Sequence, residues 1–199
     1  MLKGSIVALI TPFKNDTLDE DKYRELIHYH IKNGTSGIVP AGTTGESPTL
    51  THTEHKKVIE IAVSECRNKI PVIAGTGSNS TTEAVELSQH AETSGANGLL
   101  IVTPYYNKPT QEGLYQHYKK INDNVGLPII IYNIPSRCGV NMTAETVAYL
   151  YNNVNVVTTY WLLLALPPTS SSSFFIIIIS SSVEIRESRS ASSLFFFRA

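Results

Sequence analysis

Residues 42–47, with the sequence Gly-Thr-Thr-Gly-Glu-Ser, place hydroxyl groups and a carboxylate beside two glycines. They follow an apolar run at 37–40 that is typical of a buried strand, and they precede a periodic segment at 53–67 that is typical of a helix. Backbone N–H groups and hydroxyls at such a connection are free to converge on a small anion. We therefore predict a ligand-binding loop at the carboxyl end of a strand, where parallel α/β folds bind their ligands.

Two further clusters combine hydroxyl, amide and cationic groups. Residues 103–109 (Thr-Pro-Tyr-Tyr-Asn-Lys-Pro) follow a predicted strand, and residues 132–137 (Tyr-Asn-Ile-Pro-Ser-Arg) end the next one. Each cluster alone has an ordinary structural explanation, such as a helix cap, loop packing or a solvated arginine. Because all three clusters fall at the carboxyl ends of predicted parallel strands, a shared functional site is the better interpretation.

The hydroxyl groups of Thr43, Tyr106 and Tyr132 could form a proton relay. A tyrosine with a pKa of about 10 is a poor base alone, but it can pass protons within a hydrogen-bonded chain. The guanidinium of Arg137 could bind a substrate carboxylate. The pattern therefore favours proton transfer beside a bound acid.

The elements that must position these residues alternate along the first part of the chain. Apolar runs predict strands at 5–10, 37–40, 71–75, 98–103, 128–132 and 154–157. Periodic segments predict helices at 19–32, 53–67, 81–94, 111–122 and 143–151, with Thr81 and Thr143 as candidate N-caps. This alternation indicates an α/β fold with a parallel sheet, and the strand spacing suits a (β/α)8 TIM barrel. A doubly wound open sheet is the alternative, although no G-x-G-x-x-G motif follows the first strand.

The chain changes character after residue 157. Residues 158–199 contain no Gly, Lys, His, Asp or Asn, and they include runs of Ser, Ile and Phe. A barrel segment needs glycines and capping residues at its turns. We therefore predict a barrel portion at 1–157, truncated after about six βα units, and a low-complexity or misassigned segment at 158–199. The alternative is a pair of apolar strands or helices packed on the first part.

Composition and charge narrow the class of protein. The net charge of −1 and the pI of about 6.6 predict a soluble protein with no electrostatic preference for nucleic acid or acidic membranes. No signal peptide precedes the first strand, so we expect a cytoplasmic location. Cys66 and Cys138 lack metal or redox spacing, and we expect free thiols and neither a metal nor a cofactor.

The three clusters, together with Gln-Glu-Gly at 111–113 and the segment 132–139, resemble the dihydrodipicolinate synthase (4-hydroxy-tetrahydrodipicolinate synthase) family. That family belongs to the N-acetylneuraminate lyase superfamily of class I aldolases, and the resemblance runs from about residue 5 to residue 157. It implies a (β/α)8 barrel, usually a homotetramer, that condenses pyruvate with aspartate semialdehyde in lysine biosynthesis. The rival within the superfamily is another pyruvate-dependent aldolase or lyase.

The resemblance also implies roles for individual residues. A strand-six lysine of the family forms a Schiff base with pyruvate, and the tyrosine matching Tyr132 relays protons. The residues matching Thr43 and Tyr106 complete the relay, with Tyr106 donated across a subunit interface. The residue matching Thr44 holds the pyruvate carboxylate, and the arginine matching Arg137 helps to bind the semialdehyde.

Lysine-inhibited members of the family bind lysine at a dimer interface. The resemblance places a lysine effector site here at Ser47, His52, His55, Asn79, Glu83 and Tyr105. In that site Glu83 would pair with the ammonium group of the effector. The alternative is that His52 and His55 are surface residues at the start of a helix.

One departure from the family concerns the Schiff-base lysine. Tyr160 stands at its expected position, and no lysine follows Lys120. A phenol cannot form an iminium with pyruvate, because an amine is required. We therefore expect no Schiff-base chemistry from this sequence as written, and a truncated remnant without catalytic activity is the alternative function.

Overall fold

The computed structural model describes residues 4–161 and 177–180. The strands are β1 (Ile6–Ala8), β2 (Phe13–Lys14), β3 (Thr17–Leu18), β4 (Gly37–Val39), β5 (Ile73–Gly75), β6 (Gly98–Val102), β7 (Ile129–Asn133), β8 (Val156–Trp161) and β9 (Ile177–Ser180). The helices are α1 (Glu20–Lys32), α2 (His52–Cys66), α3 (Thr81–Ser94), α4 (Gln111–Asn122), α5 (Pro135–Cys138) and α6 (Ala144–Asn153).

The principal strands pair in parallel in the order in which they occur along the chain. β1 pairs with β4, and β5, β6, β7 and β8 follow one another in a continuous sheet. A parallel bridge between Ile38 and Val72 joins the two groups. Sequential parallel pairing with intervening helices is the wall of a (β/α) barrel, and it disfavours the doubly wound alternative, in which the strand order reverses.

Apolar residues cover both faces of this wall. Ile38 belongs to the large core between strands and helices, whereas its neighbour Val39 belongs to a small cluster with Ile73 and Ile130. Successive strand residues point to opposite faces, so this division follows from the strand geometry. The short, continuously apolar runs in the sequence have this cause.

Most helix boundaries lie within one or two residues of those predicted. Thr143 caps α6 as expected, by accepting a hydrogen bond from the N–H of Thr146. The expected cap at Thr81 is wrong: Ser80 caps α3 through the N–H of Glu83, and Thr81 is already helical. Gly95 ends α3 with a φ of 97°, a conformation that glycine adopts without steric cost.

Several elements were not expected from the sequence. β2 and β3 form an antiparallel hairpin, Ser47–Thr49 form a 3-10 turn, and α5 follows β7 directly. β8 extends to Trp161, and β9 pairs with it in antiparallel orientation. The rest of the segment at 158–199 lies outside the described residues, and the division of the chain at residue 157 stays a prediction.

No helix in the described part of the chain has both the length and the apolar character needed to cross a bilayer.

Because Gly75 has no side chain, the backbone of Ala41 in the loop after β4 can pack closely against β5. A Cβ atom at this position would overlap the carbonyl oxygen of Ala41 and lie 2.7 Å from its carbonyl carbon. We expect Gly75→Ala to lower the free energy of unfolding by about 3 kcal/mol, measured from urea denaturation midpoints.

Gly42→Ala is the matched control for this prediction. A Cβ atom there would lie 3.5 Å from Cγ1 of Val39, an ordinary contact. We expect a change of about 1 kcal/mol or less. Equal losses in the two variants would contradict the proposed clash.

Candidate active site

The three predicted clusters meet in one cleft of about 1010 Å³ at the carboxyl ends of the strands. Thr43 comes from the loop after β4, Tyr106 comes from the loop after β6, and Tyr132 lies at the carboxyl end of β7. Arg137 of α5 completes this part of the wall. The strands run in parallel, and their carboxyl ends therefore share an edge, as the sequence predicted.

The side chain of Thr43 lies next to the phenol of Tyr132. Burial raises the pKa of the Tyr132 phenol, while the nearby hydroxyl of Thr43 and the charge of Arg137 oppose that shift. The phenol is therefore neutral near pH 7, and a neutral phenol can both donate and accept a hydrogen bond. This pair can pass a proton between a bound molecule and the loop after β4.

The end of β7 is held in place by a buried amide. The side chain of Asn133 donates to Oδ1 of Asn141 at 2.8 Å and accepts from the N–H of Met142 at 3.2 Å. Asn133 is fully buried, so breaking these bonds would leave its polar atoms without partners. The neighbouring Tyr132 is thereby fixed at the strand end.

Three amides of the loop at 42–47 are used within the loop itself. The N–H groups of Gly45, Glu46 and Ser47 donate to carbonyl oxygens of the loop, so they are not available to a ligand. An anion site at the remaining residues of this loop stays a prediction. The side chain of Thr11 donates to the carbonyl of Gly45 at 2.8 Å and anchors the turn. The side chain of Thr44 is exposed and is not part of the cleft wall described here.

Tyr106 lies at the rim of the cleft instead of joining the other two hydroxyls. Its side chain is 89 % exposed, and its backbone has a φ of 69°. Within the residues that the structure describes, a single chain brings together Thr43 and Tyr132 but not Tyr106. A contribution of Tyr106 to the site of a neighbouring subunit stays a prediction.

Most of the predicted effector residues line the same cleft, namely Ser47, His52, His55, Glu83 and Tyr105. Asn79 is not among the lining residues, and its carbonyl accepts a hydrogen bond from the side chain of Asn107 at 3.2 Å. The candidate catalytic and effector groups therefore lie on one continuous wall of this chain.

Glu83 is held between a hydroxyl and an imidazole. Its carboxylate accepts a hydrogen bond from Ser78 and lies 2.6 Å from Nε2 of His52. These contacts, with that of Ser78 the stronger, lower the pKa of Glu83 and keep it ionised. Sequence reasoning missed Ser78, because a buried serine ahead of a helix N-cap carries no distinctive pattern.

His55 is buried, so the alternative of a surface residue is wrong for this position. Its side chain is 3 % exposed, and neither ring nitrogen makes a hydrogen bond of normal geometry to the described residues. Burial lowers the pKa of His55 to about 4, although the backbone of Gly75 opposes the shift. His55 therefore presents a neutral imidazole near pH 7.

Tyr160 occupies a defined register position in the sheet. The parallel pairing of β7 with β8 sets it opposite Tyr132. The position at which the family resemblance predicts a lysine is thus adjacent to Tyr132 in the sheet.

The buried histidine predicts a pH dependence of stability. Because its pKa falls from 6.5 to about 4 on folding, the unfolded chain takes up a proton that the folded chain does not. Stability should therefore be full above pH 6.5 and fall as the pH drops toward about 4, by at most about 1.4 kcal/mol per pH unit for one histidine.

His55→Leu tests this expectation, because it removes the titrating group. The variant should lose stability less steeply with falling pH than the unaltered chain, as measured by urea midpoints across that range. Identical slopes would exclude His55 as a source of the pH dependence.

Comparisons with known proteins agree with the fold and the strand-end clusters. The model of the Dihydrodipicolinate synthetase family matches residues 1–159. The chain is 65 % identical over 157 residues to the 4-hydroxy-tetrahydrodipicolinate synthase of Pelagibacter ubique (strain HTCC1062), an alignment that covers 79 % of this chain and 54 % of that protein. The chain thus spans about half the length of the curated relatives that it matches.

Solved structures give the same result. The chloride-inhibited dihydrodipicolinate synthase of Acinetobacter baumannii, complexed with pyruvate, matches with a TM-score of 0.78 and 49 % identity over 80 % of this chain and 55 % of that one. The enzyme of Cyanidioschyzon merolae with lysine bound matches with a TM-score of 0.77 and 41 % identity over 80 % of this chain and 55 % of that one. The predicted barrel architecture and family are thereby confirmed, and the chain belongs to the dihydrodipicolinate synthase family.

Proposed function

We propose that this chain carries the pyruvate-handling part of a 4-hydroxy-tetrahydrodipicolinate synthase site, which condenses pyruvate with aspartate semialdehyde. The placement of the Thr43 hydroxyl and the Arg137 charge next to the phenol of Tyr132, on the wall of one cleft, is the observation that carries this proposal. It supplies a neutral phenol and a hydroxyl beside the register position of the family's lysine. A relative complexed with pyruvate supports the choice of substrate.

Within this proposal the carboxylates of the two substrates bind at different places in the site. Thr44 binds the carboxylate of pyruvate, and Arg137 binds that of the semialdehyde. Tyr106 completes the relay from a neighbouring subunit of a homotetramer, and its 89 % exposure is compatible with that role. The proposal keeps the sequence-based expectation of a cytoplasmic location.

The covalent step requires an amine that this sequence does not place on β8. In iminium formation the amine nitrogen bonds to the keto carbon of pyruvate, and the carbonyl oxygen leaves as water. The side chain of Tyr160 is a phenol and contains no nitrogen. We therefore propose that this chain as written binds pyruvate without condensing it, and that a lysine at position 160 is the missing chemical group.

Borohydride trapping tests this division between binding and chemistry. After incubation with pyruvate and borohydride, the unaltered chain should gain no mass, because no iminium forms to be reduced. Tyr160→Lys should gain the mass of one reduced pyruvate adduct, mapped to residue 160 by peptide mass spectrometry.

Val157→Lys is the control, since it adds an amine to the same strand at an exposed position. It should gain no adduct. An adduct on any lysine of the unaltered chain would show that another amine performs the reaction. Absence of the adduct from Tyr160→Lys would favour the interpretation as a remnant without catalytic activity.

We also propose that lysine is an effector bound beside Glu83. The carboxylate of Glu83 stays ionised because Ser78 and His52 stabilise it, and it can pair with an ammonium group. A relative with lysine bound supports the choice of ligand. Because the family's site lies at a dimer interface, a single chain should bind lysine weakly.

Calorimetry on an assembled form with the full family length tests the effector site. We expect Glu83→Ala to weaken lysine binding about tenfold or more, because the ammonium group loses its counter-charge. Glu86→Ala, an exposed acid on the same helix, should leave binding unchanged. Lysine binding that is insensitive to Glu83→Ala would exclude this site.

A further inference from the structure

Lys108 is a cation in the candidate active-site cleft to which neither the sequence patterns nor the family resemblance gave a role. It lines the cleft together with Arg137. In the part of the chain that the structure describes, its ammonium group has no ion pair or hydrogen bond. The side chain of Lys108 is exposed, so its charge is available to a ligand that enters the cleft.

The stem of Lys108 lies across the backbone of Gly139. A Cβ atom at residue 139 would be 2.9 Å from Cε of Lys108 and 3.7 Å from its Nζ. Gly139 caps the carboxyl end of α5 with a φ of 68°, and Arg137 lies two residues earlier on the same helix. The lysine and the arginine therefore reach the same part of the cleft, the lysine from the loop after β6 and the arginine from α5.

The loop that carries Lys108 holds an unfavourable backbone conformation. Tyr106 and Lys108 have φ angles of 69° and 45°, in the left-handed region that side chains disfavour. Each such residue costs on the order of 1 kcal/mol. Asn107 stabilises the loop through two hydrogen bonds. Its backbone N–H donates to the carbonyl of Tyr105 at 2.8 Å, and its side-chain amide donates to the backbone carbonyl of Asn79. Strain of this kind is concentrated at ligand-binding loops.

We propose that Lys108 acts with Arg137 to bind the carboxylate of the second substrate, a short aldehyde that carries a carboxylate. The arginine offers a planar pair of donors, and the lysine adds a point charge on a flexible stem. The phenol of Tyr132 and the hydroxyl of Thr43 then contact the keto acid, pyruvate. Lys108 is in this way a specificity-determining residue, and the inference rests on the proposed function.

The experiment measures binding of two small acids to the unaltered chain and to Lys108→Met. Pyruvate reports the first substrate. 4-Hydroxybutanoate stands for the second, because it has a carboxylate and an oxygen at the aldehyde position but cannot form an imine. Titrations followed by NMR at low ionic strength give both dissociation constants.

We expect Lys108→Met to weaken 4-hydroxybutanoate binding about three- to tenfold, a range suited to a charge at the rim of a cleft. High salt should reduce this difference by screening the exposed charge. Pyruvate binding should be unchanged, and Lys108→Arg should restore most of the lost affinity. Lys32→Met, at the end of α1 and away from the cleft, is the control and should bind both acids like the unaltered chain.

Three results overturn the inference. The first is equal 4-hydroxybutanoate binding by Lys108→Met and the unaltered chain, and the second is no binding of this acid by the unaltered chain. The third is equal weakening of the binding of both acids, because the lysine would then act generally on anions. Absence of pyruvate binding alone would instead count against the proposed function.

Discussion

The common direction of the strands is the constraint on which the candidate site depends. Each helix returns the chain so that the next strand runs parallel to the last, and the strand ends therefore share one edge. Register brings them to the same level, as in the pairing of Val102 with Tyr132. The loop after β4 lies against β5 because Gly75 has no side chain to hold it away. Without both conditions Thr43 would not reach Tyr132.

The charges of the cleft wall lie on different elements. Lys108 is on the loop after β6 and Arg137 is on α5, whereas Glu83 on α3 is the only acid among the described residues lining the cleft. Glu83 is itself surrounded by Ser78 and His52. An anionic ligand is thus favoured beside Lys108 and Arg137, and an ammonium group beside Glu83. One cleft can in this way distinguish acids from amino acids.

The sequence predicts the positions of strands and helices well, because apolar runs and periodic segments are local signals. It also predicts that Thr43 and Tyr132 share an edge, since this follows from the strand direction alone. It does not predict the exposure of Tyr106, which depends on a left-handed backbone in the loop after β6.

Contacts between segments that are distant along the chain could not be predicted from the sequence. Ser78 meets Glu83, and Lys108 meets Gly139, only through the folded arrangement of loops. The internal hydrogen bonds of residues 42–47 likewise depend on the turn that the loop adopts. Residue types alone do not show that the folded turn uses the amides of Gly45, Glu46 and Ser47 for its own hydrogen bonds.

Gly75 has a consequence for inherited variation in this chain. Its backbone is not in the left-handed region, yet a Cβ atom there would overlap the carbonyl oxygen of Ala41. Every single-codon change to another residue adds at least that atom, so the loop that carries Thr43 would have to shift. Mutations at such a position damage the site while every candidate polar residue is still present. A gene can therefore lose this site while its catalytic signature remains intact.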